Sequence, residues 1–435
     1  MQIDTLISAK WIIPIEPTGT VLEQHCLAIH AGRIVDIVPA AEANQFEAST
    51  HLKLPNHVLL PGLINAHGHA AMSLMRGIAD DLPLMQWLNE HIWPAEQKHV
   101  SAEYVHDGSL LACAEMLRGG TTCFNDMYFF PEETARAAEQ AGMRATVGLI
   151  VINFPSAWAQ NADEYISKGL ELHDQLQSNT LINTAFAPHA PYTVSDEPLQ
   201  RILTLSEELD IPVHMHVHEI ADEVEGSIKE HGVRPLERLD KLGLLNPNLV
   251  SVHMTQLTDD EIDRYANTGG HIVHCPESNL KLASGFCPIN KLHQAGINLA
   301  LGTDGAASNN DLDMFGEMRT AALLAKAVAN DASAMPAEVI LQMATLNGAR
   351  ALGLDQEIGS LVKGKAADVI AVNLSGIETE PVYNPISQLV YATGRERVTD
   401  VWVAGKHLLK DRQLTTIDVD DVVNKARQWQ QKLAD

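Results

Sequence analysis

His67 and His69 are separated by a single glycine and close an apolar run that begins at His57. In an extended chain, residues i and i+2 point to the same side, so the two imidazoles face one point. Neutral imidazole is a common ligand for zinc and similar divalent metals, and Gly68 lets backbone and metal come close. A pair of histidines at a strand end is also compatible with plain hydrogen bonding to neighbours. The rest of the chain decides. His189 follows Ala187-Pro188, and His214, His216 and His218 alternate ahead of Glu219. His253 follows Ser251-Val252, His271 and His274 flank Ile272-Val273, and Asp304 follows Leu301-Gly302-Thr303. A chance scatter of 20 histidines would not favour one end of every apolar run. Nitrogen and oxygen donors without clustered thiolates suit zinc, iron or manganese in a catalytic site with an open position. A metal held there lowers the pKa of bound water to roughly 7. Hydrolysis then needs a base for the proton of water and an acid for the leaving group or ring. Asp304, Glu219 and His253 are the candidates. His214, His216 and His218 share one strand face, so alternation alone does not choose among them.

Eight apolar runs must position these groups, at 58–66, 121–125, 145–152, 182–187, 213–217, 249–252, 271–273 and 298–301. Helical patterns lie between most of them, for example at 132–141, 197–209, 233–242, 259–266 and 289–295. This alternation predicts an α/β fold with a parallel (β/α)₈ TIM-type barrel over 58–365. A doubly wound open sheet alternates similarly. The barrel is preferred because the polar residues cluster at the C-terminal strand ends, where barrel enzymes keep their chemistry. Residues 1–57 read as short strands and turns, with a hairpin through Ala31-Gly32. Residues 366–435 repeat that texture at 368–372 and 398–403 and end in a helical pattern over 419–433. Both ends together predict a small composite β-sandwich domain.

The chain has 435 residues, 46% of them hydrophobic, which is ample for a large core. Its net charge of −26 argues against nucleic acid as a partner. The five cysteines form no C-x-x-C pair and are odd in number, which fits a reducing cytoplasm. The first residues lack the basic and apolar regions of a signal peptide, and no apolar stretch is long enough to span a bilayer.

The pattern resembles the amidohydrolase superfamily of metal-dependent hydrolases over nearly the whole chain. The resemblance rests on Pro61-Gly62-Leu63-Ile64-Asn65-Ala66-His67-Gly68-His69, on the strand-five and strand-six histidines and on the strand-eight aspartate. It rests also on Ala344-Thr345-Leu346-Asn347-Gly348-Ala349-Arg350-Ala351-Leu352-Gly353 and the following return to the β-domain from Ile358 to Asp368. It implies one divalent metal ion per subunit, zinc by default with iron or manganese as alternatives, held by His67, His69, His216 and Asp304. His216 is selected because the family's ligand precedes its acid by three positions, as His216 precedes Glu219. Binuclear relatives bridge two metals with a carbamylated lysine at the end of strand four, and no lysine stands there here. Glu219 beside a single metal is the mark of the deaminase branch, which hydrolyses an amidine-like C–NH₂ of a purine, pyrimidine or triazine with a metal-activated hydroxide. In that branch Glu219 carries a proton to the ring nitrogen, Asp304 takes the proton of the nucleophile, and His253 orients it.

Residues 72–96 resemble the 5'-methylthioadenosine/S-adenosylhomocysteine deaminase subgroup, which implies a substrate-binding set of Glu96, His189, Glu219 and Asp304. Glu96 would grip the ribose hydroxyls, and one carboxylate accepting two hydroxyl hydrogen bonds is a sound diol clamp. Trp87, Met72, Met75 and Met85 would face a thioether, though such a stripe is commonly core. Members that accept S-adenosylhomocysteine meet its carboxylate with an arginine after strand three. The segment 153–161 has none, and a buried carboxylate without a partner is costly. The expected reaction is therefore deamination of 5'-methylthioadenosine, with Phe154, Pro155 and Trp158 as apolar lining. S-adenosylhomocysteine, adenosine, guanine, cytosine or a triazine are alternative substrates, and a non-catalytic scaffold protein would lack the ligands that are present here. The expected partner is a small nucleoside, with neither nucleic acid nor membrane, and the resemblance implies a homo-oligomer.

Overall fold

The computed structural model describes residues 1–434. Four strands come first, β1 (Gln2–Ile12), β2 (Leu22–His30), β3 (Arg33–Pro39) and β4 (Glu47–Pro61). Then come β5 (Leu63–Gly68), β6 (Thr121–Asp126), β7 (Arg144–Val151), β8 (Ile182–Pro188), β9 (Val213–Val217), β10 (Leu249–His253), β11 (His271–His274) and β12 (Asn298–Leu301). The tail adds β13 (Val369–Asn373), β14 (Val398–Val403), β15 (Lys406–Lys410) and β16 (Gln413–Leu414).

Strands β5 to β12 lie side by side in chain order, every pairing parallel, with helices between them. All residues of β6, β7, β9 and β10 are buried. Near-continuous apolar strands are what a parallel sheet covered on both faces requires. The first and last staves meet at the chemistry-bearing end. Gly68 bridges Asp304, and the Asp304 N–H donates to the His67 carbonyl at 3.1 Å. A side chain at Gly302 would put its Cβ 2.8 Å from the His67 nitrogen and 2.9 Å from the His67 carbonyl oxygen. Glycine is what lets this seam close, and the fold is the (β/α)₈ barrel that the alternation predicts.

The chain ends form a separate sheet in the order β16-β15-β14-β13-β4-β1-β2-β3, antiparallel except between β1 and β4. It is one curled sheet. The turn after β2 meets the turn after β14, where a Cβ on Gly32 would stand 2.7 Å from the Ala404 carbonyl oxygen. Ile7, Leu27, Ile29, Leu59, Val369 and Trp402 pack inside the curl.

Two stretches differ from the sequence expectation. The apolar run read as one barrel strand over 58–66 is two strands. Residues 58–61 finish β4 and pair with β1 and β13, and the first stave begins at Leu63. The end of β4 is buried like the stave that follows it, so hydrophobicity shows no break between them. Gly62 makes the joint, donating its N–H to the Asp368 carbonyl at 3.0 Å. The helical pattern at 419–433 is the helix Val419–Ala434, but it lies on the barrel. It packs on the helix Ala102–Arg118, with the rings of Trp429 and Tyr104 edge-on at 5.2 Å. Asp107 of that helix accepts from Lys425 Nζ and from Trp429 Nε1, both at 3.0 Å. Among the described residues no helix is long and apolar enough to cross a membrane.

Candidate active site

The seam sets the geometry of the site. His67 Nε2 lies 3.2 Å from Asp304 Oδ1, His69 Nε2 lies 3.1 Å from the same oxygen, and His216 Nε2 lies 3.2 Å from His67 Nε2. Ligand atoms of His67, His216, His253 and Asp304 all fall within 4.8 Å of one another. Each imidazole is oriented from behind. His69 Nδ1 donates to the Met127 carbonyl at 2.6 Å, and His216 Nδ1 to the His189 carbonyl at 3.0 Å. His67 Nδ1 is 2.9 Å from His214 Nε2, and His253 Nδ1 is 2.8 Å from Asn279 Oδ1. A carbonyl accepts only, so in the neutral ring Nε2 of His69 and of His216 carries a lone pair, which on His69 is turned toward the carboxylate oxygen of Asp304. Acceptors that converge in this way, each fixed by an outer partner, suit a cation. The donor set therefore fits a divalent metal. On Asp304, Oδ2 accepts from Ser278 at 2.6 Å and Ser308 at 2.8 Å. Burial works to raise its pKa, but His67 and His69 hold it well below the usual carboxylate range. Burial lowers His67 to about 4. At His69 the effect of burial is outweighed by Asp304 and the Met127 carbonyl, which raise its pKa to about 9 in the absence of a metal, so a cation bound there would take the place of the Nε2 proton.

The strand-five histidines separate by depth. His216 reaches the site, while His214 sits behind His67. His218 departs from their common face because β9 ends at Val217 and His218 adopts a left-handed backbone, φ 55°. Its Nε2 accepts the Leu236 N–H at 3.2 Å. Glu219 is buried, with Oε2 3.9 Å from His253 Nε2, and burial raises its pKa. His271 and His274 stay out of the site. His271 stands at the start of β11 against Asn298, and His274 is buried with Nδ1 unpartnered.

These groups open into a cavity of about 540 Å³ lined by His69, His189, His216, Glu219, His253 and Asp304 at one end. Glu96 stands on the cavity wall, where Tyr128 donates its hydroxyl to Oε1 at 2.7 Å. Burial pushes Glu96 up to about 7, against the Tyr128 hydroxyl and the charge of His69. Met72, Trp87, Leu88, Phe154 and Pro155 add apolar wall. Three expected lining residues lie elsewhere. Trp158 is buried against Tyr165, with its indole N–H on Glu132 at 3.1 Å. Met75 packs in the cluster beneath Trp87, and Met85 faces a neighbouring cavity of about 330 Å³. No lysine or arginine is among the residues lining the main cavity.

The sequence reading missed Tyr128, Asn279, Ser278, Ser308 and Glu223. All but Ser308 lie within about six residues of a barrel strand's C-terminal end, and that position is the signal that could have found them. Glu223 accepts two backbone N–H groups at the end of β9, and burial pushes its pKa up to about 8.

The amidohydrolase family matches residues 58–408 of the chain. A protein of Saccharophagus degradans named 5-methylthioadenosine/S-adenosylhomocysteine deaminase is 54% identical over 431 residues, covering 99% of this chain and 97% of its own. One of the same name from Teredinibacter turnerae is 52% identical over 99% of this chain and 98% of its own. Among solved structures, an adenosine deaminase from Xanthomonas campestris with bound zinc superposes with a TM-score of 0.99 at 54% identity, over 100% of this chain and 99% of that one. An atrazine chlorohydrolase from Arthrobacter aurescens TC1 complexed with zinc shares the fold at a TM-score of 0.91 and 23% identity, over 98% of this chain and 99% of that one.

Proposed function

The chain belongs to the amidohydrolase family, and we propose that it is a metal-dependent aminohydrolase converting 5'-methylthioadenosine to 5'-methylthioinosine and ammonia. The observation that carries the reading is one cavity with convergent histidine and aspartate donors beside Glu219, and the carboxylate of Glu96 on its wall. We assign His67, His69, His216 and Asp304 as the metal ligands. Zinc is the metal that the nitrogen and oxygen donors suit, and the zinc-bound adenosine deaminase supports that choice. When bound, such a metal lowers the pKa of a water ligand to roughly 7.

The chain's own groups do the rest. Glu96 accepts hydrogen bonds from both ribose hydroxyls, which places the adenine toward the histidines. His189, on the cavity wall, contacts the substrate. An aromatic amidine resists water until a ring nitrogen is protonated, and Glu219, raised by burial, hands over that proton. His253, fixed through Asn279, orients the attacking water. Asp304 receives the proton that water loses, and its second oxygen stays held by Ser278 and Ser308. Water adds at the ring carbon, Asp304 passes the proton it received to the amino group, the C–N bond breaks as ammonia leaves, and the new C–OH gives its proton back to Glu219 as the carbonyl forms.

The apolar wall and the lack of a lining lysine or arginine favour a methylthioether over the amino-acid tail of S-adenosylhomocysteine. The five free buried cysteines support a cytoplasmic setting, and the family resemblance supports a homo-oligomer. Ammonia release from 5'-methylthioadenosine, S-adenosylhomocysteine, adenosine, guanine and cytosine tests the reading. The expected result is the highest kcat/KM for 5'-methylthioadenosine. A higher value for S-adenosylhomocysteine overturns the substrate choice, and activity on free bases alone overturns the nucleoside reading.

A further inference from the structure

Glu219 receives no hydrogen bond to its carboxylate from the protein among the described residues, and at 3.9 Å from His253 Nε2 it is beyond hydrogen-bond reach of that ring. Its aim is therefore set by its backbone. The strand ladder stops at Val217, the backbone at His218 is left-handed, and the N–H groups of His218 and Glu219 leave the ladder. Both go to one carboxylate. His218 N–H donates to Glu223 Oε1 at 3.0 Å, and Glu219 N–H donates to Glu223 Oε2 at 2.8 Å. Glu223 stands in the first turn of the helix Ala221–His231 and is 7% exposed. From the other side, Thr255 Oγ1 donates to the Glu219 carbonyl at 2.7 Å, and the Thr255 N–H donates to the His218 carbonyl at 2.9 Å. The peptide carrying Glu219 is thus held by its donors and by its acceptors.

We infer that Glu223 is a positioning residue for Glu219, fixing the turn at 218–219 so that the acid stands where the ring nitrogen of the substrate must lie. The inference rests on the reading of Glu219 as the proton carrier. Side-chain chemistry makes the position demanding. Two N–H groups need two acceptor oxygens, which a carboxylate has. Glutamine has one and would turn its NH₂ toward the other N–H. Aspartate is one carbon shorter. Alanine leaves two buried donors unsatisfied.

A double-mutant cycle tests the link. Glu223→Ala should lower kcat for 5'-methylthioadenosine by about 10²-fold, a cost that a misplacement of roughly 1 Å can reach, with bound metal and KM little changed. In a Glu219→Gln background the same substitution should cost almost nothing further, because the group it positions is already gone. Glu223→Gln should fall between wild type and alanine, and it carries the same comparison where the alanine variant does not fold. Losses that add in the double mutant, or a matching loss of metal, overturn the inference. Backbone amide exchange at His218 and Glu219 reads the anchoring without any substrate. Protection should be strong in wild type and weakened in Glu223→Gln, and unchanged protection overturns the inference. If wild-type protein releases no ammonia from any nucleoside, the reading of Glu219 fails, and amide exchange alone decides whether Glu223 holds the turn.

Discussion

Glu96 is a carboxylate kept where ionising is difficult. Burial lifts it to about 7 from an ordinary value of 4.5, so its charge changes near neutral pH. Protonated, it could no longer accept from both ribose hydroxyls as proposed. KM for a nucleoside should therefore rise as pH falls through about 7, and initial-rate kinetics across that window check it. Tyr128→Phe removes the hydroxyl that favours the charged form and should move the transition to higher pH. The stability effect has a definite sign. A carboxylate whose folded pKa is raised favours the folded state fully below its unfolded value, and loses that contribution as pH rises through the folded one. Glu96→Gln should thus raise Tm at pH above 7 while weakening nucleoside binding. The residue scale also shows what a sequence can say about a site. The convergence of His67, His69, His216 and Asp304 was legible because few residue types bind metals, and they recur at strand ends. Tyr128 and Asn279 were not, because accepting or donating one hydrogen bond is work that many residue types do, and Glu223 was not, because its two partners are backbone N–H groups, which every residue type offers.

Among the elements, the seam between β5 and the residues after β12 bears most directly on the chemistry. Gly302 packs against the backbone of His67. Gly302→Ala must push that backbone away and with it His67, one of the proposed metal donors. The expected outcome is loss of bound metal together with a lower Tm, measured by metal analysis and thermal melting. Retention of full metal content would show that the seam gives elsewhere. Strand positions were largely readable, since a stave buried on both faces is a bare apolar run between turn signals. The joint at Gly62 was not readable, because β4 and β5 are both buried where they meet. The docking of Val419–Ala434 was not readable either. Its amphipathic spacing predicts a buried stripe but does not name the surface that covers it, and that surface is Tyr104 and Asp107 on the barrel.

At the scale of the whole molecule, metal and fold are thermodynamically linked. The donors converge only in the folded chain, so a bound metal stabilises it by mass action, about 2.7 kcal/mol when free metal is at 100 times its dissociation constant. Treatment with a chelator should lower Tm along with activity, and added zinc should restore both. An unchanged Tm after complete metal removal would count against the assigned donors. Closure at the seam also sets an order of events in time. His67 and Asp304 are 237 residues apart in the chain, and a ribosome adding about 5–20 residues per second needs on the order of 10 to 50 s to make that stretch. Throughout that interval the first histidines exist without their aspartate, and the nascent barrel has two open edges. Metal capture is thus a late step of biogenesis, available only to a chain already translated past its last stave.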